Sequence, residues 1–150
     1  GVMRGFGFSV LAAIWPGLTL AESDLVPLYE LTPETATPYT VYTRCIGYKS
    51  AVTEYIGVEN HDADVLKTTQ AFAVTLYSAA VADLAETMRD EEARETADSN
   101  ISVYLDYYRV RFQAAAEDGD DPLQTDALLA ADSHFCGMLM VSVLGGAGSQ

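Results

Sequence analysis

The sequence predicts an all-α protein, an up-down-up-down four-helix bundle, from three observations. Apolar residues recur at spacings of three and four in four separate segments, with none of the alternation of a strand. Those segments open on capping residues. The links between them are short, which makes neighbours in sequence run antiparallel. The helices are expected near 38–58, 62–88, 91–117 and 121–144, a bundle over 38–144.

Residues 1–21 precede that pattern. Arg4, the apolar run Phe6 to Leu20, and Thr19-Leu20-Ala21 ahead of Glu22 have the three-part form of a secretory signal peptide, with cleavage after Ala21. The apolar run is about 15 residues, short of the roughly 20 that span a bilayer. Pro16-Gly17 also interrupts it, so a retained anchor is the weaker reading. Residues 22–37 carry Pro27 and Pro33 and no helical period, and read as an extended arm. Leu25, Val26, Leu28, Tyr29 and Leu31 are too apolar for a free tail, so part of the arm is expected to lie on the bundle.

Thr37-Pro38 supplies an N-cap followed by proline at the first helical position. Val41, Cys45, Tyr48, Val52 and Tyr55 then repeat at four and three, and Gly57 is the expected stop. The second helix, capped by Asp62, is the one around which the bundle is expected to be organised. One face carries Leu66, Ala73, Leu76, Tyr77, Ala80, Leu84 and Met88; the other carries Thr75, Ser78, Ala79, Ala82 and Ala85, small enough for close helix approach. The third repeats Ala93, Ala97, Ile101, Tyr104, Tyr108, Phe112 and Ala115 after an acidic first turn, and ends at Gly119. Asp121-Pro122-Leu123-Gln124 opens the fourth, with Leu129, Cys136, Leu139, Met140 and Val143 on one side. Glycine-rich residues 145–150 read as a flexible tail.

Charge narrows the function classes. A formal net charge of −14 argues against nucleic acid and against anionic lipid, so no nucleic-acid partner and no stable membrane insertion after signal cleavage are expected. A basic protein or a small ligand is the partner this charge suits. Two cysteines far apart in an exported chain read as a Cys45–Cys136 disulfide. Each sits about seven residues, roughly 10 Å, from a helix end. In an up-down bundle those ends share a pole. The bond would close a loop of roughly 90 residues, worth on the order of 4 kcal/mol by loss of chain entropy in the unfolded state.

Two sets of side chains are candidate sites. Tyr48, Tyr55, Tyr77, Tyr104 and Tyr108 project from the inward stripes and could line an amphipathic pocket between helices, although core packing with the hydroxyls reaching water is the stronger reading. His61 with Asp62 and Asp64 is a weak metal candidate, because aspartate is wanted at a helix entrance for capping and no His-x-x-x-His or Glu-x-x-His pair accompanies it. His134 stands alone, and Glu117-Asp118-Gly119-Asp120-Asp121 lacks the ligand order of a calcium loop. No phosphate loop, haem-attachment motif, nucleophile elbow or zinc-spaced cysteine set is present, so neither a catalytic residue nor a cofactor is assigned. The sequence therefore points to an exported, periplasmic or secreted, non-catalytic binding or interaction module. A small-molecule carrier or enzyme with a tyrosine-lined interior is the alternative, and an acid-activated periplasmic chaperone using the 22 carboxylates is a third reading.

Overall fold

The computed structural model describes residues 25–145, and the signal-peptide assignment over 1–21 and most of the glycine-rich tail lie outside them. The described chain is all-helical, with no strand among the described residues. It forms α1 (Pro38–Ile56), α2 (Ala63–Leu84), α3 (Asp90–Glu117), the single turn α4 (Pro122–Thr125) and α5 (Ala127–Met140). Short 3-10 turns lie at Leu28–Glu30 and Val58–Asn60, and a π turn at Val141–Gly145.

Capping explains the boundaries. The Thr37 hydroxyl accepts from the Thr40 amide to start α1, and Gly57, at φ 95°, ends it by donating a hydrogen bond from its amide to the Thr53 carbonyl. α1 therefore stops at Ile56, two residues before the expected limit. Asp62 accepts from the Asp64 amide and starts α2. That helix was expected to reach Met88 but ends at Leu84, because the Leu84 carbonyl takes the amides of Thr87 and Met88 at 3.0 and 3.1 Å in a closing turn. The fourth predicted helix is broken at Asp126. Its backbone is extended there, at φ −100° and ψ 112°, and its carboxylate accepts from the Leu129 amide to cap a new helix. Arg111 Nη2, 2.8 Å from the same Oδ1, holds that cap from α3.

α1 lies at the centre. Thr43 through Tyr48 are buried on all sides of the helix, against α2, α3 and α5. Pairs between α1 and α3 advance together, Tyr39 with Asn100 and Tyr55 with Phe112, so these helices run in the same sense. Pairs between α3 and α5 run in opposite order, Tyr108 with Asp132 and Arg111 with Asp126. α1 and α3 meet at Gly47, where a Cβ would lie 2.8 Å from that of Tyr104 and 3.0 Å from the Leu105 nitrogen. Only glycine permits so close an approach.

α2 is more peripheral than its composition suggests. It buries Phe72, Leu76 and Ala80, a stripe rotated towards Phe72 from the expected one. Its small-residue face is not packed under another helix, since Thr75, Ser78 and Ala82 are exposed. The arm departs from the expected extended form as well. Pro27 and Leu31 are extended, but a 3-10 turn between them drives Leu28 into the core at 2% exposure.

Candidate functional site

The most elaborate arrangement in the molecule is a buried polar hub at Asp132. This aspartate, fully buried on α5, accepts the Leu28 amide on Oδ1 at 2.8 Å, and Arg44 Nη2 and the Tyr108 hydroxyl on Oδ2 at 2.7 and 2.6 Å. Arg44 also donates from Nε and Nη2 to the Tyr108 oxygen, at 3.2 and 2.9 Å. The arm, α1, α3 and α5 thus share one carboxylate. A charge taken out of water costs several kcal/mol unless it is paired and hydrogen-bonded, and here the arginine is the counter-ion while the amide and phenol fill the remaining acceptor sites. Burial pushes the Tyr108 phenol well above its ordinary pKa, so it donates rather than ionises. All three side chains are sealed from solvent. The hub holds helices together and cannot meet a substrate.

The five candidate tyrosines do not converge on one space. Tyr48 and Tyr108 pack edge to face at 5.2 Å, and Phe112 lies against Tyr48 at 6.1 Å and stacks on Tyr55 at 5.0 Å. These rings fill the interior between α1 and α3. Tyr55 is 43% exposed, and Tyr104 backs onto Gly47. Tyr77 instead borders an open groove between α2 and α3, with Arg94 across it. The Tyr48 hydroxyl is buried beside Ser133 without a well-formed hydrogen bond, and burial pushes its pKa up to about 12.

The remaining candidates have local structural roles. His61 Nδ1 donates to the Gly57 carbonyl at 2.8 Å, and Asp62 caps α2, so both serve the α1–α2 turn. No group of three or more histidine, cysteine or acidic side chains suited to a metal ion occurs among the described residues. Cys45 and Cys136 are fully buried with Sγ atoms 2.11 Å apart and Cα atoms 5.5 Å apart, at disulfide distance.

A second groove, of about 490 Å³, opens between α1 and α2. Lys49, Thr53 and Glu54 line one side, Leu66 and Thr69 the other, with Val58 from the intervening turn. Glu54 is gripped by Arg109, whose Nε and Nη2 reach its two oxygens at 2.5 and 3.0 Å, and this fork holds the Glu54 carboxyl below its ordinary pKa. Lys49 is half-buried, and burial pulls its pKa down. It has no acidic or hydrogen-bonding partner among the described residues.

Ala127–Gly145, with a mean hydropathy of 1.6, is long and apolar enough to cross a membrane by length and composition, and 22% of it is buried. It also carries Asp132 and Cys136, which tie it to α1.

Sequence reasoning missed Arg44, Asp132 and Lys49. A signal for the first two was present: Asp132 lies four residues before Cys136 and Arg44 immediately before Cys45, so opposite charges sat beside both cysteines on helices expected to be joined. Nothing local marks Lys49, whose setting comes from α2. The class these features define is an all-helical chain joined through its interior by a cysteine pair and an ion pair. No known protein family, curated protein or solved structure matches it.

Proposed function

We propose that this chain is an exported, non-catalytic interaction module for a protein partner, built as an up-down-up-down four-helix bundle and released by cleavage of residues 1–21. The observation that carries this reading is the packing of Tyr48, Tyr108 and Phe112 against one another, which leaves the candidate tyrosine interior occupied by its own rings. A carrier would need that space for its ligand. The opposite order of the α3 and α5 pairs and the shared sense of α1 and α3 support the bundle. The cysteine pair at disulfide distance is the pairing expected of an oxidising, extracytoplasmic compartment, and supports export.

With the interior filled, the useful surface is the outer one. Native mass spectrometry of the protein purified from its own host at neutral pH tests this. A co-purified protein is the expected result, and a stoichiometric small ligand in its place would overturn the reading.

A further inference from the structure

We propose that the α1–α2 groove is a docking site for a segment of a protein partner that presents aliphatic side chains beside one carboxylate, with Lys49 as the cation that pairs with it. The inference rests on the interaction-module reading and specifies where and by what chemistry that module binds.

Charge selects the carboxylate. On a chain of net charge −14 this groove is a local exception. Its one lining acid, Glu54, is engaged by the Arg109 fork, which also binds Asp106, and Lys49 has no ion-pair partner of its own among the described residues. Among the described basic residues Arg44, Arg109 and Arg111 have carboxylate partners, whereas Lys67, Arg89 and Arg94, like Lys49, have none within ion-pair distance; those three are exposed and Lys49 is half-buried. A half-buried ammonium that has lost part of its water shell gains more from an incoming anion than an exposed one does. The hydroxyls of Thr53 and Thr69 can each donate a hydrogen bond to the same ligand. Leu66 and Val58, the latter 59% exposed, offer apolar contact to aliphatic groups beside it.

Shape selects a protein segment over a free acid. The groove is open along its solvent side, whereas a small-molecule site encloses most of its ligand's surface. A segment anchored elsewhere by the rest of its protein does not need enclosure, because only part of its binding free energy comes from this contact.

The test uses the full chain and three probes followed by amide NMR shifts: an N-acetylated Val-Leu-Val tripeptide with a free terminal carboxylate, its C-terminal amide, and valerate. The free-acid tripeptide is expected to move the Thr53 and Thr69 amides and to bind about tenfold more tightly than either other probe, the size of one charge-assisted contact. Lys49→Met should reduce it to the level of the amide, and Lys49→Arg should retain the preference, with the fold of both variants checked by circular dichroism. Equal binding of acid and amide, or an unchanged preference in Lys49→Met, would overturn the site. Valerate binding as tightly as the tripeptide would overturn the peptide source. The outcomes separate from those of the broader reading: a host protein retained equally by wild type and Lys49→Met removes the groove and leaves the interaction module. Tripeptide binding as stated, with no host protein captured, leaves the groove and removes the module.

Discussion

α1 and α2 are of similar length, 19 and 22 residues, yet α1 buries seven of its residues and α2 three. The difference does not follow apolar content. α1 takes Thr43 and Arg44 inside with it, and α2 leaves Val65 and Val74 about half exposed. Polar residues can occupy the centre when each has a partner: the Thr43 hydroxyl donates to the Tyr39 carbonyl at 2.9 Å, and Arg44 has Asp132 and Tyr108. α2 has no comparable tie. It is held by an apolar stripe, and its remaining surface borders two open grooves. One helix is fixed from every side, and the other serves as an outer wall.

The largest difference in stability between α1 and α2 lies at the hub. Asp132→Ala leaves Arg44 charged and unpaired in the interior and removes the acceptor of the Leu28 amide, so a loss of about 3–5 kcal/mol is expected. Val74→Ala on α2 should stay within about 0.5 kcal/mol, as surface substitutions do. Urea unfolding of both variants measures the contrast. Comparable losses would mean that α2 is as deeply integrated as α1.

A pair of glycines sharpens the same point on a smaller scale. Gly47→Ala forces a methyl against the Tyr104 Cβ and the α3 backbone, and overpacking of this kind costs about 1–3 kcal/mol. Gly137→Ala, on α5 with nothing within 4 Å of the new Cβ, should instead stabilise by roughly 0.5–1 kcal/mol through helix propensity. Thermal midpoints should therefore move in opposite directions.

The smallest effect at neutral pH belongs to Tyr48. Its folded-state pKa is raised above the ordinary 10.0, so its contribution to stability is complete below pH 10 and is lost as pH rises through about 12. Tyr48→Phe should change neutral stability little, because the buried hydroxyl has no well-formed bond to lose, and should flatten the fall in stability between pH 10 and 12. Denaturant midpoints across that range check it.

Much of this fold was legible because its signals are local. Thr37-Pro38, Asp62 and Asp121-Pro122 each start a helix as their capping chemistry requires. The cysteine pair was legible from topology. The break at Asp126 was not, because the aspartate lay inside a continuous apolar period and its capping role is fixed from outside the segment by Arg111. The central position of α1 was hidden by its composition, since Arg44 reads as a surface residue until Asp132 is brought to it from 88 positions away. α2 reads as the organising helix for the converse reason. Its small apolar residues suit a buried face, but no helix covers Thr75, Ser78 or Ala82. The Lys49 groove depends on both helices and leaves no pattern in either alone.

Native-state hydrogen exchange at the Leu28 amide tests the organisation around α1 and Asp132 most directly. That amide lies in the arm, outside any regular helix ladder, and it donates to the Asp132 carboxylate. It should exchange as slowly as the Cys45 and Tyr48 amides of α1, and more slowly than the amides of Val65 and Val74 on α2. Exchange of Leu28 at the rate of an open loop, or slowest exchange in α2, would contradict that organisation.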